Sequence, residues 1–228
     1  MTRPKKVSDL DKPWNKNKKR SRRKLFERPM NKRFLIVSEG TKTEPNYFRS
    51  LEKRLRRSTL FLEILGLGTN TLDLVEQAER LRCRYLERGI EFDQIWVLFD
   101  KDSFPEDDFD NAIHSLQATQ KIKLGYRCAW SNEAFELWYL LHFEGNTIPD
   151  RRSLYSAELR RLLKTDYEKN LEDVFDILEK TGSIQLAMKR AKQLDENRKL
   201  LGDTPWRANP CTTVYLLMQE LDDYLVKN

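Results

Sequence analysis

Four short runs rich in aliphatic and β-branched residues recur along the chain: RFLIVS (33–38), TLFLEILGLG (59–68), FDQIWVLFD (92–100) and KLGYRCAWS (123–131). Each is followed by an apolar stripe at helical spacing. Behind the first come Tyr47, Leu51 and Leu55, with Pro45 placed for an early helical turn. Leu74, Val75, Ala78, Leu81, Tyr85 and Leu86 follow the second and stop at Gly89. The third leads into PEDDFDNAIHSL, which sets Phe109, Ala112, Ile113 and Leu116 on one face and its carboxylates where a helix N-terminus favours them. Behind the fourth, Asn132 is placed to cap a helix over EAFELWYLLHF. Strand–helix units repeated in this way fold with the crossover helices laid against the sheet. The expected class is therefore α/β, a small mostly parallel sheet flanked by helices.

After Ser153 the pattern is helical throughout, around 153–165, 170–180, 183–197 and 211–226, with no strand expected. This divides the chain into a basic arm (1–32), an α/β domain (33–150) and a helical extension (151–228) packed on it. No run approaches the roughly 20 apolar residues of a membrane span, and the N-terminal residues are too polar for a signal peptide, so a cytoplasmic protein without a membrane partner is expected. The three Cys, at 83, 128 and 211, form neither a CxxC motif nor a disulfide framework. The net charge of +6 hides an asymmetry: residues 1–33 hold 14 Lys/Arg against 3 Asp/Glu, whereas the remainder holds 28 against 33. KNKKRSRRK (16–24) lacks the apolar content to offset its ordering entropy and is expected to be disordered alone. Such an arm either contacts nucleic-acid phosphates or serves as a solubilising leader.

In open α/β sheets ligands collect beyond the carboxyl ends of the strands. The first strand ends at Ser38-Glu39 and the third at Asp100-Lys101-Asp102, so polar residues converge at that edge. Asp100 and Asp102, two residues apart, point the same way and present two hard oxygen ligands suited to Mg²⁺ or Mn²⁺. Glu39 completes the ligand set or acts as general acid or base, and Glu44 stands five residues on, near the start of the helix. EGTKTE also carries Gly40, which permits close backbone approach, and Lys42, a point charge for phosphate. Its spacing is not that of a P-loop, and GLGTN (66–70) is no dinucleotide fingerprint. In SNEAFELWYLLHFE most residues read as core. Asn132 and Glu136, one helical turn apart, are read as lining the site, and Glu133 less so. His142 lies too far along the helix to reach the edge, and His114 falls on an amphipathic surface.

EGTKTEPNYF, FDKDSF, SNEAFELWYLLHFE and NPCTTVYLLMQEL (209–221) occur here in an order that resembles the RloB-like proteins, also known from the abortive-infection system AbiL. The resemblance runs from about residue 33 to the C-terminus. It implies a Toprim-like catalytic domain, in which Glu39 matches the Glu after the first strand and Asp100 with Asp102 the DxD after the third. It further implies Mg²⁺-dependent phosphoryl transfer of the kind seen in nucleases, with Glu44 and Glu136 as candidates to assist a second metal, and an ABC-type ATPase partner. Nothing resembles the nucleophilic Tyr domain of a topoisomerase.

Three functions follow as expectations: a Mg²⁺- or Mn²⁺-dependent nuclease, a non-catalytic module binding nucleic acid or an ATPase, and a phosphatase of the haloacid dehalogenase type with Asp100 as nucleophile. Tyr167, Lys169, Arg190, Lys192 and Arg207 are further phosphate contacts or solvated surface. Thr212 and Thr213 read as a helix entry.

Overall fold

In the computed structural model the chain is described over residues 32–56, 60–68, 71–101, 106–122, 125–143, 148–149, 151–164 and 166–226. The basic arm up to residue 31 lies outside these residues, as does Asp102, and its last expected residue, Lys32, opens the first strand. Lys32–Asn228 forms one compact unit. Four parallel strands, β1 (Lys32–Ser38), β2 (Leu60–Gly66), β3 (Gln94–Asp100) and β4 (Tyr126–Asn132), alternate with α1 (Thr43–Glu52), α2 (Thr71–Glu87) and α3 (Glu106–Ile122). The sheet order is β2-β1-β3-β4-β5, where β5 is the pair Cys211–Thr212. The fold is α/β, consistent with a Toprim-like arrangement.

The strands read as nearly continuous apolar runs because both faces of the sheet are covered. Along β1, Phe34 and Ile36 enter one core while Leu35 and Val37 enter the other. Along β3, Trp96 and Leu98 join the first core and Ile95, Val97 and Phe99 the second. The second core is closed by α2 and α3 through Leu74, Ala78, Phe109, Ile113 and Leu116, as the helical spacing predicted. Leu86 is the exception and is exposed. The first core is larger. It takes α1, the short α4 (Glu136–Leu140) and four later helices: α5 (Tyr155–Leu163), α6 (Val174–Thr181), α7 (Ile184–Leu200) and α8 (Val214–Asp222).

Two elements depart from the expectation. The helix expected over EAFELWYLLHF is one turn of α4 followed by turns through Phe143, and Phe135–Phe143 are all buried. A run that is apolar on every side carries no periodicity from which its length can be read. In the second departure, Cys211–Thr212 adds an antiparallel strand to β4 instead of opening a helix. Thr212 and Thr213 serve β4: the Thr213 hydroxyl accepts from the Trp130 amide at 2.9 Å, and the Thr212 and Ser131 hydroxyls are hydrogen-bonded at 3.0 Å. Thr213 makes no side-chain cap for α8.

Among the described residues no helix is long and apolar enough to cross a membrane. Cys83 is exposed, Cys128 half-buried and Cys211 buried, and all three are free thiols.

Candidate functional site

Because β1 lies between β2 and β3, the chain runs from β1 out to the sheet edge at β2 and then crosses back to β3. The β1/β3 boundary is thus a topological switch point, where a crevice opens beyond the strand ends. Ser38 pairs with Leu98, and the Glu39 amide donates to the Leu98 carbonyl at 2.9 Å. Glu39 and Asp100 therefore leave the sheet at neighbouring points.

Past Ser38, whose hydroxyl donates to the Gly40 carbonyl at 2.8 Å, the chain turns across the sheet edge into α1. A Cβ on Gly40 would fall on the Glu44 carboxylate, so the space this glycine leaves is filled by Glu44. Glu44 is the second residue of α1, and the backbone amides of Gly40 and of Glu44 itself bind its carboxylate. On the other side, Asp100 Oδ2 accepts from the Phe135 amide at 3.0 Å. That bond ties the end of β3 to the start of α4 and brings up Glu136, whose Oε1 lies 3.0 Å from Lys169 Nζ.

These residues line a single cleft of about 270 Å³. Its acids are Glu39, Glu44, Asp100 and Glu136; its bases are Lys42, Arg152 and Lys169. A larger cavity of about 540 Å³, lined by Arg54, Phe175, Glu179 and Ile184 among others, contains no strand-end residue, and its scattered charges are of either sign.

Burial is the main reason the Asp100 carboxyl is held well above the usual carboxylate range, and repulsion from Glu44, Glu136 and Glu39 adds to it against the opposing Phe135 amide. Burial likewise pushes Glu44 up to about 7, with its own amide opposing and Glu136 adding. Carboxylates that raise one another in this way are suited to a shared positive counter-charge. An all-oxygen donor set of Asp and Glu matches Mg²⁺ or Mn²⁺ in chemistry. Among the described residues no three His, Cys, Asp or Glu side chains stand close enough together to enclose an ion. The described acids line one cleft without closing an ion site by themselves, and Asp102 lies outside the described residues.

The other predicted residues fall elsewhere. Asn132 is completely buried, and its amide donates to the carbonyls of Pro205 and Trp206 at 3.1 and 2.8 Å, away from the cleft. It neither caps α4 nor shares a face with Glu136, since α4 begins three residues later than a cap at Asn132 requires. Glu133 accepts from the Arg152 amide at 2.9 Å. His142 is buried with Nδ1 on the Trp138 carbonyl, and burial lowers its pKa to about 4; His114 is exposed. Of the C-terminal candidates, Tyr167 is buried, Arg190 donates to the Leu141 and Phe143 carbonyls, Lys192 pairs loosely with Glu196, and Lys169 alone lines the cleft. Arg152 was not singled out in the sequence. It sits in a stretch whose two adjacent arginines look like ordinary surface.

A family model described as RloB-like protein matches residues 34–221. No curated protein and no solved structure matches the chain.

Proposed function

The chain belongs to the RloB-like protein family, and from that premise we propose that it is a Mg²⁺- or Mn²⁺-dependent nuclease. It cleaves DNA or RNA in cytoplasmic anti-phage defence of the abortive-infection type, together with an ABC-type ATPase. The observation that carries this reading is the gathering of Glu39, Glu44, Asp100 and Glu136, with Lys42, Arg152 and Lys169, in one cleft at the switch point of the sheet.

Glu39, Asp100 and Asp102 are the residues that would hold the metal. When bound, a divalent ion polarises a phosphoryl oxygen and makes a bound water nucleophilic near neutral pH. Glu44, with its pKa near 7, is matched to moving a proton at the attacking water or the leaving oxygen. Glu136 positions that water or a second ion. Lys42 faces the same space and receives the substrate's phosphate. The basic arm, residues 1–32, adds salt-sensitive contacts to the nucleic-acid backbone.

The test is cleavage of labelled DNA and RNA by the full chain with Mg²⁺ or Mn²⁺. The double change Asp100→Ala, Asp102→Ala lowers the rate by about 10³-fold, the scale of losing electrostatic stabilisation at the reacting phosphate. Equal cleavage by both proteins overturns the reading.

A further inference from the structure

The cleft has a second wall, built from a part of the chain remote from the strand ends. A 3₁₀ turn, Arg152–Leu154, leads into α5, and the segment after α5 carries Tyr167 and Lys169 toward α6. The Arg152 amide holds the start of this wall on Glu133. Tyr167 holds its other end: it is buried and packs edge-on against Tyr139 with ring centroids 6.2 Å apart, and the Tyr139 hydroxyl donates to the Thr43 carbonyl at 3.0 Å, at the first residue of α1.

Two residues beyond this anchor, Lys169 reaches Glu136. The Lys169 side chain is 56% exposed and that of Glu136 only 5%, so the ammonium stands at the mouth of the cleft and the carboxylate at its floor. Solvent screens the Lys169 end of the pair, and the loop that carries it is also held by the buried Tyr167. An ammonium carries three donors, and Glu136 engages one side of it. Tyr155 and Tyr167 are buried beside the same acids, and burial first and the neighbouring carboxylates second raise both hydroxyls above their usual range.

We propose that Lys169, with Arg152 beside it, holds the non-bridging oxygens of a nucleic-acid phosphate against the carboxylate wall. The identity of the anion rests on the nuclease reading. The placement of the cations does not. Lys169 is then a substrate-binding residue, released from Glu136 to the extent that phosphate competes for it. Its ammonium also competes with a metal ion for the Glu136 carboxylate, so its removal affects the two ligands in opposite directions.

The experiment uses the full chain and four variants, Lys169→Met, Lys169→Arg, Arg152→Gln and Asp100→Ala. A fluorescent oligonucleotide is titrated with Ca²⁺ in place of the active metal, Mn²⁺ is titrated by calorimetry, and cleavage is followed separately. Lys169→Met raises the oligonucleotide Kd by about tenfold or more, the loss of one charge-assisted contact, while Mn²⁺ binds as well as to the wild type or better. Lys169→Arg restores part of the affinity, and Arg152→Gln weakens binding in the same direction. A purely structural role would instead lower Mn²⁺ affinity and thermal stability along with nucleic-acid binding.

Oligonucleotide binding by Lys169→Met equal to that of the wild type overturns the proposal, as does a wild type that binds no oligonucleotide. If binding depends on Lys169 but Asp100→Ala cleaves like the wild type, the phosphate wall stands and the nuclease reading falls. If Asp100→Ala abolishes cleavage and Lys169→Met binds and cleaves normally, the reverse holds.

Discussion

A methyl group on Gly40 would collide with the Glu44 carboxylate, which is the far end of a flexible side chain and can move aside. Gly40→Ala therefore destabilises the fold by about 1 kcal/mol, at the low end for overpacking. On the proposed metal-dependent reading, displacing the buried Glu44 carboxylate has a larger effect on the ligand, and Mn²⁺ affinity is expected to fall by about tenfold, the lower range for disturbing the groups around a metal. Calorimetric titration of Mn²⁺ checks this, and an unchanged Kd would separate Glu44 from the metal. This residue shows what a sequence leaves open. A glycine in EGTKTE reads as room for a ligand's phosphate, but the room is occupied by a side chain four residues later, and only the turn made by Ser38 onto the Gly40 carbonyl decides between them. Glu39 and Asp100 were legible because strand ends of a parallel sheet share an edge by construction. Lys169 could be named as a candidate but not placed, since its loop is positioned by Tyr167 packing on a ring 28 positions earlier, Tyr139.

Among the elements, the four strand–helix units were legible because their strands are buried on both faces and their helices on one, which gives two distinct periodicities. The segment after β4 gave neither. Phe135–Phe143 are buried on all sides, and Asn132, the last residue of β4, reads as a cap although its partners lie more than 70 residues away. Those partners belong to the 204–210 segment, which is further held by the Trp206 amide on Asp110 Oδ1 at 3.0 Å and by Lys101 Nζ over the Trp206 ring at 4.2 Å. The segment is thus pinned to β4, α3 and the residue after Asp100. Asn132→Ala leaves the Pro205 and Trp206 carbonyls without these donors and costs about 2 kcal/mol. For a chain of this size that lowers Tm by roughly 5 °C. Thermal unfolding checks it, and a Tm equal to that of the wild type would show that the segment is held without Asn132.

For the molecule as a whole, stability depends on pH through His142. The unfolded chain protonates this imidazole near pH 6.5, whereas burial in the larger core lowers it to about 4 in the folded protein. Below pH 6.5 the unfolded state therefore binds more protons, and stability present above that pH is lost as pH falls toward 4, to a total of about 3 kcal/mol. Unfolding measured at pH 7.5 and pH 5 is expected to show a larger loss in the wild type than in His142→Gln, whose side chain does not titrate. Equal losses would show that His142 takes up no extra proton on unfolding.

The cleft also has a history in the order in which its parts emerge. Glu39 comes from the β1–α1 connection, Glu44 from the first turn of α1, Asp100 from β3, Glu136 from α4 and Lys169 from the loop before α6. A nascent chain on the ribosome that has delivered only the first two strands holds two of the acids and none of the wall that faces them. If the site cuts nucleic acid, the messenger being read and the transfer RNAs reading it are the first substrates within reach. The spread of the site over 131 positions, from 39 to 169, keeps it incomplete until the codon for Lys169 has been read.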